Sequence, residues 1–222
     1  FCGCGGSDLG ITGGFSFLGK KYDQHPFEIV FACDNDPHTI ETYNENFAHK
    51  AIVEDVRKCN KNNMPDFDLL VAGFPCQSFS TVNPKKDPFD ERGQLYSEVA
   101  RILEEKQPSF FIAENVRGMM VLKNGTIFKR IIEEFSSKGY EIAYHLANCA
   151  NYGIPQKRQR VFMVGVHKRV GFKYQFPETT HSETAANNKQ KWEPLSKVID
   201  SLIPPDKKYY FSKKAVEGMK KA

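Results

Sequence analysis

The stretch that decides the fold runs from residue 67 to residue 114 and opens with the mostly apolar segment FDLLVAGF at 67–74. A buried strand is predicted there, and a second strand is predicted from Ser109 to Glu114. Between them the pattern predicts an amphipathic helix from Gln94 to Lys106, with these apolar side chains on one face: Leu95, Val99, Ile102 and Leu103. Continuous apolar strands that alternate with helices are typical of parallel sheets. The sequence therefore predicts an α/β fold with a doubly wound, mostly parallel sheet and helices on both faces.

The same alternation extends to either side of this stretch. An apolar strand is predicted from Ile29 to Cys33, and Asp36-Pro37 then supplies an N-cap and a first helical residue for a helix that ends near Phe47. A further amphipathic helix is predicted from Ile127 to Phe135, and Gly139 is expected to close it. Several strand–helix units in succession support the α/β assignment.

Composition narrows the class of protein. The 222 residues include 31 Lys and Arg against 27 Asp and Glu, and a net charge of +4 is compatible with a polyanionic partner without establishing one. The longest apolar stretches, Leu69 to Phe74 and Val161 to Val166, are far shorter than the ~20 residues that a membrane-spanning helix needs. The six cysteines show neither a CxxC pair nor a histidine at zinc spacing, which predicts reduced thiols and no metal site.

Three reactive side chains fall at or just past the ends of predicted strands, where such sheets bind ligands: Asp34, Cys76 and Glu114. Asp34 could accept hydrogen bonds from ribose hydroxyls, or it could be an acid at a helix N-terminus. Cys76 could be a nucleophilic thiolate, or it could be a buried and inert thiol. Glu114 could move a proton on a bound base, or it could cap a helix.

Two further segments are candidates for binding. The glycines of FCGCGG at residues 1–6 would let the backbone approach a nucleotide-like ligand, although a plain tight turn is an equal alternative. The fingerprint for dinucleotides is not met, because Asp8 stands where it requires glycine. In QKRQR at residues 156–160, strand alternation would send Arg158 and Arg160 to one side, which suits a phosphate, a carboxylate or a carbonyl, or simply a solvated face.

Four segments, taken in chain order, resemble four sequence blocks of the DNA cytosine-5 methyltransferase family: Phe1 to Gly10, Gly73 to Ser80, Glu114 to Gly118 and Tyr152 to Gly165. Between them, Asp55 resembles the acid that meets the adenine amino group of S-adenosylmethionine. The run Arg92-Gly93-Gln94-Leu95 resembles the block whose leucine lies near that cofactor. The likeness covers nearly the whole chain to about Val166.

The resemblance implies a Rossmann-like enzyme that transfers a methyl group from S-adenosylmethionine to carbon 5 of a cytosine flipped out of duplex DNA. In that chemistry the Cys76 thiolate attacks carbon 6 and Glu114 bonds ring nitrogen 3. Arg160 would hold the cytosine carbonyl or its phosphate, and Arg158 would orient Glu114 or support the thiolate. The cofactor-binding residues that it implies are Phe1, Gly3, Gly5, Gly6, Asp34, Asn35, Asp55, Val56, Pro75 and Leu95. The substrate-binding residues that it implies are Gln77, Ser80, Asn115, Val116 and Gln156.

The resemblance also implies a domain organisation. Residues 1–203 correspond to a catalytic large domain with a truncated first strand, and residues 204–222 to a linker and the start of a target recognition domain. The expected partners are duplex DNA and either a complementary subunit or a C-terminal segment that carries the recognition domain, with no membrane contact. A bacterial restriction-modification enzyme would act in the cytoplasm, and a eukaryotic enzyme in the nucleus.

Two alternatives remain open from the sequence. The substrate could be transfer RNA, because one branch of the family acts there. The chain could also be one subunit of a split methyltransferase that is inactive alone.

Overall fold

The computed structural model describes residues 1–75, 95–199 and 212. The α-helices in these residues are α1 (Gly6–Thr12), α2 (Pro37–Asn46), α3 (Leu95–Lys106), α4 (Gly118–Val121) and α5 (Thr126–Ser137). The strands are β1 (Ser16–Phe17), β2 (Lys20–Lys21), β3 (Cys33–Asp34), β4 (Ile52–Val53), β5 (Leu69–Ala72), β6 (Phe110–Val116), β7 (Tyr140–Asn148), β8 (Gln159–His167), β9 (His181–Ser182) and β10 (Gln190–Lys191). No helix within the described ranges combines the length and the apolar character that crossing a bilayer requires.

The largest sheet has four strands in the order β5-β6-β8-β7. Strands β5 and β6 run parallel, with Val71 opposite Ile112, and helix α3 lies between them in the chain. The pairs β6–β8 and β8–β7 are antiparallel. Only residues 149–158 join β7 to β8, which is too short for the helical crossover that a parallel pair needs. The predicted α/β alternation is confirmed, and the described sheet is mixed, with antiparallel strands towards its β7 edge.

The strand predicted from Ile29 to Cys33 is shorter than expected. Only Cys33 belongs to the observed strand β3, which pairs in parallel with β4. The residues from Ile29 to Ala32 instead border a cavity of about 760 Å³, which is also lined by Leu69 to Ala72. A strand ladder requires a neighbouring backbone within hydrogen-bonding distance, and within the described residues the pairing found for Leu69–Ala72 is the one with β6.

The main core lies between helices α3 and α5 and one face of the sheet. Side chains of β6 alternate, so that Phe111 and Ala113 are fully buried among residues of both helices. The Phe111 ring meets the Phe135 ring edge-on, with 5.4 Å between the ring centroids. On the opposite face, Phe110 and Ile112 border the large cavity, as does the residue Ile11 of α1. The helix faces predicted for α3 and α5 are confirmed by this packing.

Candidate active site

The glycine-rich segment at the start of the chain is held against the end of strand β3. The backbone nitrogens of Phe1 and Cys2 both donate to the Cys33 carbonyl, at 2.8 and 3.0 Å. The nitrogen of Gly3 donates to Oδ2 of Asp34 at 3.0 Å. These bonds fix the segment over the carboxyl end of a strand, where the sequence placed a ligand site.

Gly5 shows why this segment needs glycine. Its φ of 86° lies in the left-handed region, and a Cβ added there would fall 2.2 Å from the ring of Phe47. That ring stacks on Tyr43 of α2, with 4.5 Å between centroids, and the Tyr43 hydroxyl donates to Asp8 of α1 at 2.8 Å. The end of helix α2 therefore packs directly on the glycine segment. A hydrogen bond also joins α2 to α1, the helix that follows the glycine segment.

Asp34 does not cap the helix that follows, and each of its carboxylate oxygens accepts one backbone hydrogen bond. Its Oδ1 accepts from the nitrogen of Asp36 at 3.2 Å, and its side chain is half-buried. The N-cap of α2 is Asp36, whose carboxylate accepts from His38 N at 3.0 Å. The predicted cap at Asp36 is confirmed, and the cofactor role of Asp34 stays a prediction.

A small pocket opens beside this segment. It is lined by Phe1, Asp34, Asn35, Glu54, Asp55, Val56, Arg57 and Leu95. Six of these are among the residues expected to bind a cofactor, whereas Glu54 and Arg57 are not. The structure thus brings together side chains that come from four separated parts of the chain.

The wall of this pocket around Asp55 is a short 3-10 helix, Val56–Lys58, with Asp55 as its N-cap. The Asp55 carboxylate accepts hydrogen bonds from the backbone nitrogen and the guanidinium of Arg57. These bonds lower the pKa of Asp55 to about 2, so the carboxylate is ionised across the physiological range. A ligand that bonds Asp55 would share its oxygens with Arg57.

Of the remaining cofactor candidates, Gly3 and Gly6 have open space where a Cβ would project. Gly5 is buried under Phe47 and does not face the pocket. Pro75 is half-buried and ends the first described range. In the glycine segment, free space for a ligand is therefore found beside Gly3 and Gly6.

Glu114, near the carboxyl end of β6, forms an ion pair with Arg160. Its Oε1 lies 2.8 Å from Nε of Arg160 on β8, and both side chains are half-buried. Burial raises the pKa of Glu114, and the positive charges of Arg160 and Arg158 partly oppose that rise. Glu114 lies inside a strand and caps no helix, so the capping alternative is not what the structure shows. A carboxyl that keeps its proton more readily than usual, beside two guanidiniums, suits proton or hydrogen-bond donation to a ring nitrogen.

Arg158 is placed differently from Arg160. Strand β8 begins at Gln159, so Arg158 precedes it and the expected strand alternation does not apply. Arg158 is exposed, as is Gln156, and the charge of Arg158 nevertheless acts on Glu114. Its predicted role in orienting Glu114 therefore stays a prediction.

Comparison with known proteins identifies the family. The family model described as C-5 cytosine-specific DNA methylase matches residues 1–222. The chain belongs to this family. The chain is 38% identical over 200 residues to the Type II methyltransferase M.BspRI of Lysinibacillus sphaericus, covering 82% of this chain and 46% of the relative. It is 33% identical over 204 residues to the Type II methyltransferase M.NgoFVII of Neisseria gonorrhoeae, covering 91% and 52%.

A solved structure supports the same conclusion for the fold. The chain resembles an E. coli protein described as a DNA modification methyltransferase encoded within a prophage, with a TM-score of 0.63 and 31% identity. The match covers 79% of this chain and 47% of that chain. The Rossmann-like α/β class is thereby confirmed. The chain spans about half the length of the curated relatives it matches.

Some of the residues expected to contact substrate are not open to solvent. Asn115 is 1% exposed, and its amide donates to the Phe74 carbonyl at 3.1 Å while its Oδ1 accepts from Val116 N at 2.9 Å. Its amide therefore holds the segment that leads to Pro75 instead of reaching an open surface. Val116 is half-buried at the end of β6.

The predicted nucleophile Cys76 lies outside the described residues, as do Gln77, Ser80 and Arg92 to Gln94. Gly73 lies close to two parts of the candidate site, Glu114 and the glycine segment at the start of the chain. A Cβ on Gly73 would lie 3.8 Å from Oε2 of Glu114 and 3.9 Å from the carbonyl of Phe1. The chain thus passes beside both the carboxyl and the glycine segment shortly before it reaches Cys76.

Proposed function

We propose that this chain is the catalytic part of an enzyme that transfers a methyl group from S-adenosylmethionine to carbon 5 of cytosine in duplex DNA. The observation that carries the proposal is the half-buried Glu114–Arg160 pair together with the glycine segment, because Gly73 lies close to both Glu114 and Phe1. Bound S-adenosylmethionine supplies an electrophilic methyl group.

The pocket residues fit the chemistry of this cofactor. Asp34 offers carboxylate oxygens to ribose hydroxyls, and Asp55 offers them to an adenine amino group alongside Arg57. Phe1, Val56 and Leu95 supply apolar surface for a flat base. The open space above Gly3 and Gly6 leaves room for the methionine part of the molecule.

The proposed reaction assigns a step to each of the other residues. The Cys76 thiolate forms a bond to carbon 6 of cytosine, and the ring electron pair moves to carbon 5. Glu114 donates a hydrogen bond to ring nitrogen 3, which stabilises the charge that develops on the ring. Carbon 5 then takes the methyl group, and the bond between that group and the donor's sulfur breaks. Solvent water accepts the carbon 5 proton, and the electron pair left behind restores the ring double bond and releases the Cys76 thiolate.

Arg160 gives the carboxyl its orientation in this scheme. Its Nε contacts Glu114, while one of its terminal nitrogens donates to the Gln159 carbonyl at 2.8 Å. A guanidinium that is fixed on two sides presents its remaining donors in a set direction. Those donors are available to the cytosine carbonyl or to the phosphate beside it.

Residues 1–203 are assigned to a catalytic large domain whose first strand is truncated, and the large cavity supports this assignment. The cavity is lined by Ile29 to Ala32, by Leu69 to Ala72 and by Phe1, whose nitrogen donates to the Cys33 carbonyl. A strand that joins Phe1 and enters this cavity would give β5 and the segment before β3 a common neighbour. Residues 204–222 stay assigned to a linker and the start of a recognition domain, whose base contacts would set the DNA sequence.

The substrate class is tested by measuring methyl transfer from labelled S-adenosylmethionine to duplex DNA and to transfer RNA in parallel. The full-length protein that carries this chain should label duplex DNA and leave transfer RNA unlabelled, and the product should be 5-methylcytosine. Label in transfer RNA alone would replace the proposed substrate with the alternative one. Activity that appears only after a second polypeptide is added would favour the split-enzyme alternative.

Replacing Asp34 with alanine should weaken S-adenosylmethionine binding by roughly 10- to 100-fold, the range expected for losing hydrogen bonds to a charged group. The catalytic rate at saturating cofactor should change much less, because Asp34 does not face the base. Calorimetric titration measures the affinity. Asp36→Ala is the matched control, since it removes the cap of α2 two residues away and should lower the melting temperature while leaving cofactor affinity unchanged. Equal affinity in the Asp34 variant and the wild type would contradict the ribose assignment.

A further inference from the structure

One arginine joins two separate walls of the cofactor pocket. Arg101 lies on α3, and its Nη2 donates to the carbonyl of Val56 at 3.1 Å and to that of Cys59 at 2.6 Å. These carbonyls belong to the 3-10 helix Val56–Lys58 and the residue that ends it. A single guanidinium therefore holds the segment that carries Asp55.

The guanidinium is itself held in place from two sides. Its Nε donates to Glu98 at 2.9 Å, and its Nη1 donates to Glu105 at 3.0 Å, one turn before and one turn after it on α3. The side chains of all three residues are between 21% and 30% exposed, so water competes with these bonds only in part. The Arg101 guanidinium is thus held with its Nη2 directed at the carbonyls of Val56 and Cys59.

Both of the joined segments line the pocket. Asp55, Val56 and Arg57 form one wall, and Leu95, the first residue of α3, forms another. Apolar packing of Ile102 with the cluster that contains Val56 and Cys59 also joins them, but such packing is non-directional. The hydrogen bonds of Arg101 add a direction and a distance that this packing does not set.

We propose that Arg101 is a positioning residue for cofactor binding. It holds the Asp55 wall at a fixed distance from Leu95, and it does so without touching the cofactor. Loss of the guanidinium would release the Cys59 carbonyl and let the wall shift relative to α3. This role rests on the proposed function, because it concerns the pocket that would bind S-adenosylmethionine.

The chain offers a close control on the same helix. Lys106 lies at the last turn of α3 and donates to the Met64 carbonyl at 2.6 Å and to Asp66 at 2.9 Å. Its ammonium is almost fully buried, and Met64 and Asp66 do not line the small pocket. Lys106→Met therefore removes a bond between α3 and the same stretch of chain, but away from the pocket.

The test compares Arg101→Met, Arg101→Lys and Lys106→Met in the full-length protein. S-adenosylmethionine affinity is measured by calorimetry, melting temperature by thermal unfolding, and kcat at saturating cofactor. Arg101→Met should weaken binding roughly tenfold or more, as expected for losing hydrogen bonds made by a charged donor, with kcat changed by less than about twofold. Arg101→Lys should fall between Arg101→Met and the wild type, because an ammonium keeps the charge without the fork. Lys106→Met should lower the melting temperature and leave the affinity unchanged.

The outcomes separate the two proposals. A wild-type protein that does not bind S-adenosylmethionine would overturn the proposed function itself. A wild-type protein that binds, together with Arg101 variants that lose melting temperature but keep full affinity, would overturn the positioning role alone. If Arg101→Met does not fold, the affinity of Arg101→Lys decides between the same two results.

Discussion

Replacing Cys76 with alanine should abolish methyl transfer and leave S-adenosylmethionine binding intact. The thiol is assigned to carbon 6 of cytosine, and without the bond it forms carbon 5 remains a poor nucleophile. The cofactor pocket is built from residues near positions 1, 34, 55 and 95, so its affinity does not depend on the thiol. Transfer of labelled methyl groups to duplex DNA measures the first effect, and calorimetry measures the second.

A duplex that carries 5-fluorocytosine provides a direct readout of the covalent step. Fluorine at carbon 5 cannot leave as a proton does, so the thiol–base adduct should accumulate in the wild-type protein and be absent from Cys76→Ala. Cys149→Ala is the control, because Cys149 lies in a 3-10 helix after β7 and has no place in the proposed chemistry. It should form the adduct as the wild type does. An adduct in the Cys76 variant, or substantial remaining activity, would remove Cys76 from its role.

Local features of the fold were predictable from the sequence because they depend on neighbours in the chain. The helix cap at Asp36-Pro37 is observed, since a cap requires only the next few backbone nitrogens. Helix α3 was predicted from Gln94 to Lys106, and the part of that range that the structure describes, Leu95–Lys106, is helical. Its apolar period was a clear local signal. The strand at 67–74 is observed as the shorter β5, whose length depends on where its neighbour pairs.

Contacts between distant parts of the chain were not predictable. Glu98, Arg101 and Glu105 have the spacing of ion pairs on an exposed helix face, and nothing local shows that Arg101 also reaches Val56, 45 residues earlier. Asn115 was expected to contact substrate, but burial against Phe74 gives its amide a different partner, 41 residues earlier. The antiparallel direction of β8 likewise depends on the length of the connection after β7, not on its apolar pattern.

The part of the candidate site that lies at or near the carboxyl ends of strands was predictable from the sequence. Asp34 and Glu114 lie at the carboxyl ends of β3 and β6, as expected from the sheet. Arg57 was missed, although its position two residues after an N-cap acid on a short turn is a local signal for the contact it makes with Asp55. The pairing of Glu114 with Arg160 required the register of β6 against β8, which only the structure supplies.

Replacing Glu114 with glutamine should lower kcat by roughly 10²- to 10⁴-fold, the range expected when a general acid–base group is lost. Glutamine keeps the shape of the side chain but has no acidic proton, and it removes the negative charge that Arg160 contacts at 2.8 Å. Folding should be little affected, because the pair is only half-buried and glutamine fills the same space. Single-turnover methyl transfer to duplex DNA measures the rate, and Glu141→Gln, on the exposed Glu141–Lys173 pair of β7, is the control that should leave it unchanged.

The pH dependence gives a second and independent readout for Glu114. Burial raises the pKa of this carboxyl, so its proton is retained to a higher pH than in an exposed glutamate. A step that needs the protonated carboxyl is fully supported below that pKa and is lost as the pH rises through it. Thiolate formation at Cys76 has the opposite dependence, so the wild-type rate should pass through a maximum. Glu114→Gln should lose the limb on which the rate falls with rising pH and keep the other. A variant that retains both limbs, or that slows by less than about tenfold, would show that Glu114 orients Arg160 without bonding the base.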